Sequence, residues 1–308
     1  VKALRVDVIG IAFILLWSSG YVVGALATAV TPPLTVMLWR FVFAVVALGA
    51  IALIRRESWP RGRELWGLAG VGVLMFALQF GGLYTALSEG MPAGTVALIA
   101  CSSPLLVAAA GAALRWETLT WRRWVGIALG VVGVVVTLSD RVEQPPSAGA
   151  LLWTLLGLAG LAAGTLLHGR LRAASGPTAQ AAVETAAGAV VMAVWAPLAG
   201  ALAIPWGVQA VGSFVWLAIA GSVVAPLMLF ALIRSRGATG ASTLLFAVPA
   251  VTAFASWPVL GTPVGPMALL GLVIVGVGLW LARRRAETTR ETGKMVAWPT
   301  GPAPRARR

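Results

Sequence analysis

The 308-residue chain is 59% hydrophobic and 11% charged, with a mean hydropathy of +0.91; so little polar surface excludes a water-soluble globule and marks an integral membrane protein. Its formal charge of +13 does not point to a nucleic-acid partner, because the basic residues sit between apolar runs and no folded reader accompanies them. A single cysteine, Cys101, excludes an intrachain disulfide and a cysteine metal cluster.

A bilayer core about 30 Å thick takes roughly 20 apolar residues per helix. The spacing predicts ten spans, at 7–27, 34–54, 65–86, 92–113, 123–139, 149–168, 178–199, 210–232, 238–258 and 265–282. Span one places Trp17, Ser18 and Tyr21 at its middle. It ends in an A-x-A-like sequence, but its apolar core exceeds the roughly 7–15 residues of a signal peptide, so it is read as a retained span. Span two carries Arg40, and span three carries Phe76, Gln79, Phe80 and Tyr84. Span four holds Ser102, Ser103 and a mid-span proline, Pro104. Spans five and ten are rich in glycine and almost bare of polar side chains, and are expected at the periphery as support or as a dimer contact. Span six ends at the only histidine, His168, where headgroup contact is expected. Span seven buries Glu184, and span nine holds Phe246 and a second proline, Pro249. The tail from 283 is polar, Pro-rich and basic, and is expected to be disordered near anionic headgroups.

The basic residues orient this array. With a cytoplasmic N-terminus (residues 1–6), the inner segments collect Lys2, Arg5, Arg55, Arg56, Arg61, Arg63, Arg115, Arg122, Arg123, Arg170, Arg172, Arg234, Arg236 and the tail, while the outer segments hold only Arg141. That sorting predicts both termini in the cytoplasm of a bacterial-type inner membrane.

A shift of 145 residues superposes the halves. It pairs Ala86 with Ala231, Pro104 with Pro249, Gly126 with Gly271 and Gly133 with Gly278, and brings Arg40 against Glu184 or its neighbour. Because each half (7–139 and 149–282) holds five spans, an odd number, the second enters the membrane from the opposite side. The fold class is therefore an all-α membrane protein of ten transmembrane helices built as two inverted five-helix repeats, a recurrent plan of secondary transporters with a site near the midplane.

The segments LLWSSGYVVGALATAVTPPLTVMLWRF, GMPAGTVALIACSSPLL with RWETLTWRRWVGIALGVVGV, and FAVPAV with GLVIVGVG resemble the EamA-like branch of the drug/metabolite transporter superfamily. The resemblance covers 7–282 and implies export of amino acids, metabolites or drugs without choosing among them. It also implies an acidic residue near the start of the last helix of each repeat; Glu117 fills the first such position, and Thr262 stands at the second.

An ionisable group at the centre of a span costs roughly 2.5–3.5 kcal/mol on insertion scales and needs a reason. Arg40 lies seven residues from the outer end of its span and Glu184 at similar depth from the inner end, leaving an axial gap on the order of 10 Å. Either they form one structural ion pair, or Arg40 offers a cation to a substrate carboxylate while Glu184 pairs a substrate ammonium or a coupling proton. Gln79 and its aromatic neighbours Phe76, Phe80 and Tyr84 are expected to line a cavity with Trp17, Ser18, Tyr21, Ser102, Ser103 and Phe246. Pro104 and Pro249 are expected to bend their helices toward it as gating points.

Together with the resemblance, these residues lead to the expectation of a secondary-active exporter of a small amphipathic, amino-acid-like metabolite or drug working by alternating access, a monomer or homodimer in contact with lipid. No Walker-type loop is present to use ATP, and no cofactor or metal is expected. A non-transporting scaffold predicts no cavity and no effect of cavity substitutions. An intramembrane enzyme lacks a paired nucleophile and base.

Overall fold

The computed structural model describes residues 2–114, 120–139, 146–171, 173–198, 207–229, 232 and 244–291, and their side chains outside 2–7, 246 and 282–291. The described residues contain helices and no strand. Eight helices are long and apolar enough to cross a membrane: α1 (Lys2–Thr28, apolar from Val8), α2 (Pro33–Ile54), α3 (Gly62–Ser88), α4 (Ala93–Ala113), α5 (Trp121–Ser139), α6 (Ala148–His168), α7 (Pro177–Leu198) and α8 (Val208–Leu229). Two more are shorter in their apolar part: α9 (Val248–Leu260) and α10 (Pro266–Glu291, apolar through Leu281). The predicted ninth span begins at 238, and its start lies outside the described residues. The backbone of α10 stays helical nine residues past the predicted end at 282, because RRRAETTRE contains no Gly or Pro to stop it. The tail beyond Glu291 and the acidic Glu117 lie outside the described residues.

These helices turn apolar side chains outward. Val46, Trp66, Val131, Val190 and Val194 are all more than half exposed, as a lipid-facing surface requires. The inward faces hold small residues and the few polar ones: α2, for example, buries Val36, Met37, Arg40, Phe41, Ala44 and Leu48, spaced as one helical stripe.

Two helices are locally wound wide. Residues Val73–Leu78 of α3 and Leu217–Val224 of α8 are π-helical, and the 145-residue shift carries one segment onto the other. The same shift relates two breaks: α4 is interrupted at Ser102 between Ala93–Cys101 and Ser103–Ala113, and α9 is entered through a 3₁₀ turn at Leu245–Ala247.

The packing follows a matching exchange. Helix α3 packs on α6 and α7, while α8 packs on α1 and α2; α4 packs on α6, while α9 packs on α1. The pairs α2 with α7, α4 with α9, and α5 with α10 close on one another. Helices α5 and α10 meet along glycines. A Cβ on Gly133 would sit 2.8 Å from the Gly271 carbonyl oxygen, and one on Gly278 would sit 2.6 Å from that of Gly126.

Carboxylates from the first half cap helices of the second. Glu57 accepts hydrogen bonds from Thr178 N–H at 2.8 Å, Ala179 N–H at 3.0 Å and the Thr178 hydroxyl at 2.7 Å, satisfying the open N-terminus of α7. Desolvation is the largest single influence on the Glu57 carboxyl and pushes it up, but these hydrogen bonds and the Arg55 charge together hold it below the ordinary glutamate range. At the other end of the bundle, Ser147 caps α6 by accepting from Ala150 N–H at 2.9 Å and donates to Glu89 at 3.0 Å.

Candidate functional site

Arg40 organises the polar centre. Pro33 starts α2, and two turns later the arginine falls on the buried stripe, only 5% exposed. Its Nε donates to Ser222 Oγ at 2.7 Å and its Nη1 to the Tyr84 hydroxyl at 2.9 Å. The guanidinium carbon lies 4.7 Å from the Phe80 ring centre and 5.7 Å from that of Tyr84, within cation–π range. Tyr84 passes the network on by donating to the Gly20 carbonyl of α1 at 3.0 Å. Ser222 donates to Leu217 O at 3.1 Å, a five-residue reach that belongs to the wide turn of α8 and brings the hydroxyl toward Arg40.

A cavity of about 50 Å³ lies against this network, lined by Trp17, Gly20 and Tyr21 of α1, Arg40 of α2, Gln79, Phe80 and Tyr84 of α3, and Gly221 and Ala225 of α8, among others. Gln79 follows the wide turn of α3 directly and is 8% exposed. Its amide has no hydrogen-bond partner among the described residues. Phe76 sits one turn away and packs edge-on against Phe41, with ring centres 5.6 Å apart.

The remaining candidates lie elsewhere. Ser18 donates to Val248 O at 3.2 Å and ties α1 to the start of α9. Ser102 donates to Ile99 O within its own helix at the break. Neither it nor Ser103 lines the Arg40 cavity. The side chain of Phe246 lies outside the described residues. Pro104 and Pro249 both sit in the first turn of a helical segment, where the missing N–H is tolerated, rather than inside a continuous helix. Nor do they both face the centre: Pro104 is exposed, and Pro249 is buried beside an outer crevice.

Arg40 and Glu184 do not pair with each other. Glu184 Oε1 lies 2.9 Å from Nδ1 of His168, whose side chain is 46% exposed. The contact falls short of hydrogen-bond geometry, and Oε1 has no other partner among the described residues. The expectation that His168 meets headgroups is corrected to this extent: the side chain turns from the end of α6 toward α7.

Ser222, Gly20 and Gly221 escaped the sequence reading. The signal for Ser222 was its place within an apolar span; the signal for the glycines was absence of a side chain, which is silent without coordinates. The outer crevice was also unforeseen. It measures about 680 Å³ and runs between α4, α5, α9 and α10, bordered by Thr95, Thr137, Ser256 and Thr262. It is the larger space, but no ionisable side chain among the described residues lines it, whereas the small cavity joins a buried cation, an amide and four aromatic rings.

Comparison with known proteins adds to this geometry. The model of the EamA-like transporter family matches residues 4–139 and 148–284. The inner membrane transporter YedA of Escherichia coli strain K12 is 29% identical over 279 residues, covering 87% of this chain and 88% of the relative. A probable amino-acid metabolite efflux pump of the same strain is 30% identical over 136 residues, 44% of each chain. One solved crystal structure superposes with a TM-score of 0.64 at 20% identity, over 92% of this chain and 98% of that one, a likeness of fold.

Proposed function

We propose that this chain, which belongs to the EamA-like transporter family, is a secondary-active transporter that exports a small amphipathic metabolite or drug by alternating access. Its ten helices form two inverted five-helix repeats in a bacterial-type inner membrane, with both termini cytoplasmic. The observation that carries this reading is the Arg40 cavity: α1, α2 and α3 of the first half and α8 of the second wall it together. The exchange of packing partners under the 145-residue shift supports the inverted repeat, as do the matched wide turns and breaks. The names of the relatives, an inner membrane transporter and a probable amino-acid metabolite efflux pump, support transport and location.

Overexpression of the wild-type chain is expected to raise one or a few small solutes in the growth medium. Gln79→Ala is expected to reduce that export by about tenfold, the effect of losing one well-placed hydrogen bond. Identical media from wild type and empty vector would overturn transport in favour of a scaffold.

Coupling to protons is assigned to Glu184. It is a buried carboxylate whose close partner among the described residues is a half-exposed histidine, and a carboxylate at that depth needs a function or a counter-charge. Glu184→Gln is expected to abolish pH-driven flux into proteoliposomes. Unchanged flux would end the proton reading.

A further inference from the structure

We propose that the Arg40 cavity selects solutes by a carboxylate: it accepts small carboxylates and amino-acid zwitterions with a short apolar or aromatic body, and rejects amines that lack one. The inference rests on the transport reading and names the substrate class of that site.

The guanidinium is buried with neutral partners. Its two side-chain acceptors are the hydroxyls of Ser222 and Tyr84, and the buried carboxylate of the second half, Glu184, faces His168 instead. An arginine cannot shed its charge as a buried lysine can, so the site remains a cation without a counter-ion among the described residues. An anion entering the cavity removes that deficit, and a second cation deepens it.

The free geometry suits a carboxylate. Arginine offers five N–H donors in a planar fork, and the hydroxyls use two of them. The second terminal nitrogen, Nη2, lies so close to Gly221 that a Cβ there would stand only 3.2 Å from it; the glycine lets the guanidinium reach α8, and the N–H groups the hydroxyls leave unused remain to the cavity that both residues line. A carboxylate there takes two parallel hydrogen bonds. Gln79, buried and lining the same cavity, supplies a further donor from α3. Trp17, Tyr21 and Phe80 provide aromatic walls for the rest of the solute, and among the described residues no acidic side chain lines the cavity to receive an ammonium alone.

Size adds a constraint. About 50 Å³ holds one or two waters at roughly 30 Å³ each, enough for a carboxylate group but not for a whole solute. The space in this structure is that of the carboxylate subsite alone.

The test uses the purified full-length protein and three probes that share a phenyl ring: phenylacetate, phenylalanine and phenethylamine. Thermal unfolding is followed against probe concentration. Phenylacetate and phenylalanine are expected to raise the melting temperature, and phenethylamine is not. Arg40→Gln is expected to weaken the phenylacetate response at least about thirtyfold. Gly221→Asp retains the arginine, whose guanidinium shifts by a few tenths of an ångström to admit the new Cβ, and places a carboxylate beside it. It is expected to melt at or above the wild type without ligand and to ignore phenylacetate, which separates an occupied site from a misfolded one. An equal response to phenethylamine, a phenylacetate response retained by Arg40→Gln, or no response to either carboxylate would each overturn the inference. Export of carboxylate-free amines by overexpressing cells would remove the selectivity and leave transport standing, whereas no export at all removes transport itself.

Discussion

Gly72→Val is expected to abolish accumulation of folded protein in the membrane, while Gly49→Val leaves it near the wild-type level. Gly72 closes the first segment of α3, immediately before its wide turn. Any Cβ there would fall onto the backbone carbonyl of Glu184 in α7. No rotamer relieves a clash with backbone, so the helices must separate, and the overpacking penalty lies at or beyond the upper end of about 1–3 kcal/mol. The α3–α7 crossing also fixes the depth of Glu184 and the approach of α3 to the Arg40 cavity. Gly49 lies on α2 with nothing within 4 Å of its Cβ position, so the same substitution there tests side-chain bulk alone. Fluorescence-detected size-exclusion chromatography of both variants reads the difference, and a monodisperse Gly72→Val protein at wild-type yield would contradict the crossing.

The double variant Pro104→Ala, Pro249→Ala is expected to reduce export about tenfold or more while leaving the yield of folded protein within about twofold. Each proline opens a helical segment just after a break, at Ser102 in α4 and at Leu245–Ala247 in α9. Alanine restores the N–H that proline lacks and allows the ladder to run through the break, giving a straight, stiffer rod. The two breaks belong to helices in contact with each other, and on the proposed alternating-access reading that contact opens by bending at the breaks. Ser18 gains from the break as well, since its hydroxyl reaches the Val248 carbonyl. A folded double variant with undiminished export would mean that the breaks are packing features only.

The apolar runs were legible because length and hydropathy are one-dimensional properties. Arg40 and Gln79 were legible for a related reason: a polar group within a span is conspicuous, and here both line one cavity. What the chain order hid was register. The wide turn of α3 ends directly before Gln79 and that of α8 contains Ser222, whose hydroxyl stands within hydrogen-bond reach of Arg40. Arg40 and Glu184 looked like partners by depth alone, but rotation about the helix axes sends them to different neighbours. The prolines were read as interior kinks because the run around each is continuously apolar; the helix is in fact interrupted before Pro104, which hydropathy does not register. Ser18 and Ser102 resemble cavity polars in sequence, yet both spend their hydroxyls on backbone carbonyls, the common fate of a serine in lipid.

Alternating access at the Arg40 cavity is tested most directly by a thiol placed in its wall. Gly20 lines the cavity and has nothing within 4 Å of its Cβ position, so Gly20→Cys, with Cys101 replaced by alanine, introduces a probe without displacing a neighbour. A membrane-impermeant thiol reagent is predicted to modify this cysteine from the outside in spheroplasts and from the inside in inverted vesicles, and an excess of transported solute is predicted to slow both reactions. Modification from one face only, under every condition, would contradict alternating access at this site.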